Sequence, residues 1–357
     1  MADSIIKHHK SESTPIIKNN TATFVWKGRK PPVLIGDFTG WDTENPAIMV
    51  KNGPGEWTYQ LTLLPDAYIE YGFLKGGESI PDPLNPRQTS NGFGGYNNFF
   101  FMPEYKPTTL DRKKRNVPHG RITSHKVLTG YSIPGASRMV HLYHPPVTEA
   151  IPLVVVWDGQ DYLNRIHLNY IVDNLISKGR IQPLALAFVE NGGQEIRTVE
   201  YACSEATLVF LMTEVMPLAR KELNLIDINA YPGAFGVLGS SLGGLMALYT
   251  GSRIPQVFGN VLSQSGAFSW GSLDMVVFDL LQQGERRPLK IWMDVGIYDL
   301  AGLLESNQRM QNMLHKRGYQ SWYREYHAGH DHPAWRDDIW RGLEILYGKD
   351  AIQGSIV

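Results

Sequence analysis

The chain has 357 residues, of which 43% are hydrophobic and 19% charged, with a formal net charge of -1. Those values suit a globular protein of one large or two medium domains, and they exclude the basic excess expected of a nucleic-acid binder. A single cysteine, Cys203, excludes a disulfide framework within the chain and suits a reducing compartment.

Residues 1–20 are polar and are expected to form a frayed tail. Ile5-Ile6 and Ile16-Ile17 are too short for the apolar core of a secretion signal, and no run approaches the ~20 apolar residues that span a bilayer. The expectation is a cytoplasmic protein with no membrane partner.

Residues 21–103 read as an all-β domain. Thr21–Trp26, Pro32–Gly36, Glu56–Leu63 and Ala67–Leu74 are rich in aromatic and β-branched residues and are separated by Gly, Pro, Asp and Asn turns. Short strands at that spacing predict a small sandwich. The glycine-rich stretch Ser90–Asn98 is a candidate mobile rim. Residues 104–120 contain proline and the basic run Arg112–Arg115, and read as a linker with a solvated surface.

From residue 121 to 350 apolar strands alternate with helical segments. Met139–Tyr143, Leu153–Trp157, Leu184–Val189, Ala234–Leu238, Gly259–Ser263 and Lys290–Val295 are strands, and Ser204–Leu223 has helical spacing. Continuously apolar strands with intervening helices predict a parallel sheet covered on both faces.

Within this region Gly239-Ser240-Ser241-Leu242-Gly243 has the Gly-x-Ser-x-Gly pattern between a strand and a helix former. A sharp strand-to-helix turn there presents the Ser241 hydroxyl at the carboxyl edge of the sheet, and its crowding requires small residues two before and two after. A serine hydroxyl needs a histidine base and an orienting carboxylate. In α/β-hydrolases these follow in the order Ser, acid, His. Asp299, just past the strand ending at Val295, is the preferred acid; Asp294 lies inside the strand and Glu305 on the next helix. His330, after a flexible glycine in the loop past Trp322–Tyr326, is the preferred base over His327 and the proline-restricted His332. The oxyanion donors are the N–H of Leu242 and that of Gln160 or Gly159, in the turn after Trp157. The three histidines lack an accompanying metal motif, so neither a metal nor another cofactor is expected.

Trp157-Asp158-Gly159-Gln160, Gly239–Gly244, Leu262-Ser263-Gln264-Ser265-Gly266-Ala267-Phe268, Gly296-Ile297-Tyr298-Asp299 and Gly329-His330-Asp331 together resemble the enterochelin esterase branch of the esterase D family, over roughly residues 121–345. The resemblance implies an α/β-hydrolase fold and hydrolysis of catecholate siderophore esters in the cytoplasm. It also implies Ser241, Asp299 and His330 as the triad, and places Arg197 beside the substrate. Gly36–Asp42 and Asp82–Pro86 resemble the early-set, immunoglobulin-like β-sandwich that precedes these esterases. The first of these segments also resembles glycogen-binding modules, in which exposed tryptophans stack on sugars.

The expected partner is a small-molecule ester. Trp270, Tyr298 and Trp335 are candidate lining aromatics. A feruloyl or acetyl esterase of plant polysaccharide and a non-catalytic binding protein are the alternatives. The sequence leaves the oligomeric state open, a homodimer included.

Overall fold

The computed structural model describes residues 13–92 and 94–348. Two compact units are present. The first takes the chain up to Lys106 together with Tyr298–Leu300 and His327–Asp331; the second takes Pro107–Ile297, Ala301–Tyr326 and the chain from His332.

In the first unit the strands are β1 (Ile16–Lys18), β2 (Thr21–Lys27), β3 (Val33–Gly36), β4 (Val50–Gly53), β5 (Glu56–Thr62), β6 (Tyr68–Lys75), β7 (Glu78–Ile80), β8 (Gln88–Ser90) and β9 (Tyr96–Phe101). They form a sheet ordered β1-β2-β5-β4 and a second ordered β3-β6-β9-β8, with β7 on β6. Alternation places Ala22 and Phe24 of the first sheet and Leu34, Ile69, Tyr71, Phe73 and Phe100 of the second in one core. Phe24 is the hinge of that packing, with ring centroids 4.9 Å from Tyr71 and 5.6 Å from Phe100.

The expected tail is shorter than residues 1–20. Ile16–Lys18 pairs antiparallel with Thr21–Thr23 through a two-residue turn, where Asn19 takes φ 52°. Asparagine tolerates that left-handed conformation, and the turn turns a polar segment into an edge hairpin. Residues 1–12 lie outside the described residues.

In the second unit β10 (Arg121–Leu128) and β11 (Ser137–His144) form an antiparallel hairpin. It borders six mutually parallel strands: β12 (Leu153–Trp157), β13 (Ala185–Val189), β14 (Phe235–Ser240), β15 (Phe258–Gln264), β18 (Lys290–Gly296) and β19 (Gln320–Tyr326). A small hairpin, β16 (Ser269–Trp270) with β17 (Leu273–Asp274), follows β15. The helices are α1 (Gly159–Asn164), α2 (Leu168–Ser177), α3 (Gln194–Tyr201), α4 (Glu205–Phe210), α5 (Met216–Glu222), α6 (Leu242–Arg253), α7 (Val277–Gln282), α8 (Leu303–Lys316) and α9 (His332–Tyr347). The sheet order β10-β11-β13-β12-β14-β15-β18-β19 is that of an α/β-hydrolase, and with the sandwich it makes the expected two-part fold.

The helical spacing of Ser204–Leu223 is realised as α4 and α5 joined by a π-helical turn at Leu211–Val215. The Ser204 hydroxyl caps α4 by accepting from the Thr207 N–H at 3.3 Å. Pro217 sits in the first turn of α5, where its missing N–H breaks the regular ladder.

The segment expected as a linker is fastened from Pro107 onward to the second unit. The buried Asn174 amide of α2 donates to the carbonyls of Leu110 and Arg112, and His119 Nδ1 meets Asp173 at 2.9 Å. Backbone polar groups in a packed segment need such partners, and α2 supplies them.

Candidate active site

β14 is buried at every residue, and the chain leaves it through Ser241 at φ 57° and ψ -123° to enter α6. This is a strained conformation for a residue with a Cβ. Its neighbours hold it: Ser241 N–H donates to Gln264 O at 2.9 Å, and Ser241 O accepts from Ala267 N–H at 3.1 Å and Leu245 N–H at 3.0 Å. A Cβ on Gly239 would collide with the Gly243 backbone, and one on Gly243 would come within 2.9 Å of Asp158 Oδ2. The need for small residues on both sides of the serine is therefore a packing fact.

The second candidate oxyanion segment lies against the first. Asp158 caps α1 in the left-handed region at φ 55°, and its carboxylate packs on Gly243. Arg197 grips that carboxylate through Nε to Oδ1 at 2.8 Å and Nη2 to Oδ2 at 2.6 Å, and Asn191 Nδ2 donates to Oδ1 at 2.7 Å. Arg197 Nη2 also donates to Ser240 O at 3.3 Å. Burial works against the Arg197 charge, but the Asp158 carboxylate outweighs it and holds the guanidinium above its usual range. Leu242 and Gln160 both lie in the first turn of a helix, where N–H groups lack intrahelical acceptors. A Cβ on Gly159 would meet the Phe188–Val189 backbone of β13 at 2.5 Å, so glycine is required by the strand.

Asp299 and His330 belong together. His330 Nδ1 meets Asp299 Oδ1 at 2.7 Å, and the Asp299 side chain is fully enclosed. Leu300 N–H donates to the same carboxylate oxygen at 2.7 Å. β14, β18 and β19 run parallel, so the segments bearing Ser241, Asp299 and His330 all leave from one edge of the sheet.

The competing acids and bases have other partners. Asp294 is inside β18, accepting from Trp292 Nε1 at 2.8 Å and Gln264 Nε2 at 3.2 Å. Glu305 is exposed on α8. His327 Nδ1 meets Asp66 Oδ1 at 2.5 Å, and His332 Nε2 lies 2.9 Å from Arg165 Nη1.

Of the expected lining residues, Trp270 is 65% exposed on the β16–β17 hairpin beside Leu273. Trp335 must be corrected: it is 3% exposed in α9, with its indole N–H on Ser265 Oγ at 3.1 Å. Its apolar ring is on the buried face of the helix and its one donor is satisfied there. Tyr298 is half-buried against the sandwich core, and its N–H donates to Ala328 O at 3.1 Å. Arg197 is committed to Asp158, while its neighbour Glu200 pairs with Arg138.

Sequence reasoning missed the Asp158 clamp and the layer beneath the elbow. There Tyr162 donates to Gln264 Oε1 at 3.1 Å, and Gln264 Nε2 donates to Trp335 O at 3.2 Å. A buried glutamine at the end of an apolar strand was the available signal. Among the described residues no group of three or more His, Cys, Asp or Glu is arranged to hold a metal ion, and no single helix is long and apolar enough to cross a membrane.

Residues 132–345 match the model of the Esterase family, described as "Putative esterase". The chain belongs to this esterase family. Its curated relatives include an iron(III) enterobactin esterase of Dickeya dadantii, 31% identical over 57% of this chain and 49% of that protein. An iron(III) salmochelin esterase of Escherichia coli is 27% identical over 91% of this chain and 87% of its own. The chain thus spans about half the length of the Dickeya relative and most of the E. coli one. Among solved structures, ferric enterobactin esterase from Salmonella typhimurium superposes with a TM-score of 0.74 at 21% identity, over 95% of this chain and 97% of that one. A ferulic acid esterase superposes with a TM-score of 0.56 at 16% identity, over 65% of this chain and 98% of its own.

Proposed function

We propose that this esterase hydrolyses the ester bonds of a catecholate siderophore of the enterobactin type through an acyl-enzyme on Ser241. The observation that carries the chemistry is the 2.7 Å bond between His330 Nδ1 and Asp299 Oδ1. It fixes the proton on Nδ1 and leaves Nε2 as the base.

In this reading Ser241 Oγ attacks the ester carbonyl carbon while His330 Nε2 takes the hydroxyl proton. The N–H groups of Leu242 and Gln160 receive the charge that develops on the carbonyl oxygen. The C–O bond to the alcohol breaks as His330 returns the proton to the leaving oxygen. Water, activated by the same nitrogen, then releases the acid and restores Ser241. The Asp299 carboxylate stabilises the imidazolium that forms at each step.

The substrate class rests on the relatives. The E. coli salmochelin esterase aligns over 91% of the chain, and the Salmonella enterobactin esterase superposes over 95%, sandwich included. The ferulic acid esterase superposes over 65%. The exposed Trp270 offers an aromatic face suited to a catechol ring.

The test is hydrolysis of ferric enterobactin, methyl ferulate and acetylated xylan side by side, with Ser241→Ala as control. Preference for enterobactin, lost in Ser241→Ala with the fold retained, supports the reading. Preference for the ferulate or the xylan overturns the substrate, and full activity in Ser241→Ala overturns the mechanism.

A further inference from the structure

Asp37 is a buried carboxyl of the sandwich, at 3% exposure, in the 3-10 turn Asp37–Thr39 that follows β3. Trp41 Nε1 donates to its Oδ1 at 2.8 Å and Glu70 N–H to its Oδ2 at 2.6 Å. The same carboxyl fills the space beside Gly329, where any Cβ would overlap it. Gly329 is not among the glycines at positive φ, so what excludes a side chain there is Asp37 and not the backbone.

Each of the three residues before His330 is held, two of them by the sandwich. His327 O accepts from Tyr68 N–H at 3.0 Å, Ala328 O accepts from Tyr298 N–H at 3.1 Å, and Gly329 rests on Asp37. The ionisable groups around Asp37 are Glu70 and Tyr68 of β6, Asp299 from the segment after β18 and, through Tyr68, Asp331. Burial, then Glu70 and more weakly Asp299, push the Asp37 carboxyl well above the usual carboxylate range.

We propose that Asp37 is a positioning residue for the acid–base pair, its carboxyl seating Gly329 so that His330 stays on Asp299. This inference rests on the reading of His330 as the base. It gives the sandwich a direct part in the chemistry without contact to substrate. Displacement of an imidazole by about 1 Å lowers turnover by up to about a hundredfold.

The experiment measures kcat and KM on p-nitrophenyl acetate for the full chain and for His330→Ala, Asp37→Ala, Asp37→Asn, Gly329→Ala and the double variant Asp37→Ala with Gly329→Ala. The expected result for Asp37→Ala is a loss in kcat of about tenfold to a hundredfold with little change in KM. Gly329→Ala loses at least as much. The double variant regains activity over Gly329→Ala, because the new methyl takes the vacated space. Should Asp37→Ala fail to fold, Asp37→Asn, whose amide nitrogen would face the Trp41 or the Glu70 N–H donor and so unseat the side chain, carries the same kcat-against-KM test. Wild-type kcat in the folded Asp37 variant, or a double variant no better than Gly329→Ala, overturns the proposal. An active His330→Ala overturns the underlying reading instead.

Discussion

Arg197 holds Asp158 by both carboxylate oxygens, at 2.8 and 2.6 Å, and reaches the Ser240 carbonyl with the same guanidinium. One side chain therefore links α3, the turn after β12 and the entrance of the elbow. The side chains of the pair are 17% and 5% exposed, so removing the cation strands a carboxylate largely out of water. Arg197→Ala is expected to lower stability by about 3 kcal/mol, read as a shifted urea midpoint. Arg197→Lys restores less than half of that, since an ammonium cannot form the two parallel bonds. A midpoint unchanged in Arg197→Ala would show that the clamp carries no stability.

Asp299→Asn isolates the orienting charge. In the proposed mechanism the amide keeps the shape but no longer fixes the proton on His330 Nδ1, and the wrong tautomer cannot take the serine proton. The expected fall in kcat on p-nitrophenyl acetate is about a thousandfold to ten-thousandfold, with circular dichroism unchanged. Glu305→Gln and His327→Gln change kcat by less than about twofold, because neither residue belongs to the proposed machinery. Retained activity in Asp299→Asn would remove the carboxylate from the mechanism.

Much of this arrangement was readable from the sequence, for a physical reason. A strand buried on both faces, such as Leu153–Trp157 or Phe235–Ser240, must be apolar throughout and so stands out. The loops past parallel strands share one edge, which is why Asp299 and His330 could be paired before any distance was known. Short edge strands such as Gln88–Ser90 carry no comparable signal. Contacts set by tertiary packing were invisible for another reason. Nothing near Asp37 in sequence points to Gly329, and nothing near Asp158 selects Arg197 over the other arginines. Trp335 illustrates the same limit, since its sequence position does not tell which face of α9 is buried.

The two glycines of the elbow differ in what they touch, and their alanine variants separate accordingly. At Gly239 the new methyl meets backbone of Gly243, which cannot move without unwinding the start of α6. At Gly243 it meets the Asp158 carboxylate at 2.9 Å, a side chain that can yield only by straining its bonds to Arg197 and Asn191 but does so without moving backbone. Gly239→Ala is expected to cost about 3 kcal/mol or more and Gly243→Ala about 1 kcal/mol, by urea denaturation. Equal losses would mean that the backbone contact at Gly239 relaxes as readily as a side chain.

His332 supplies a stability change with a defined sign. Its Nε2 lies 2.9 Å from Arg165 Nη1, and a guanidinium can only donate, so the nitrogen accepts and the ring is neutral. Asp161 Oδ1, at 3.8 Å from the same nitrogen, is too distant to reverse this. Burial, with Arg165 adding to it, lowers the imidazole from its ordinary value near 6.5. The unfolded chain therefore binds the proton first. The contribution of His332 is complete above pH 6.5 and is lost as pH falls from there through the folded value, with a slope of at most about 1.4 kcal/mol per pH unit. His332→Gln keeps an acceptor for Arg165 but has nothing to protonate. Urea midpoints from pH 8 to 5 should fall less steeply for the variant than for the parent, and identical slopes would show that His332 binds its proton equally well in the folded and unfolded chain.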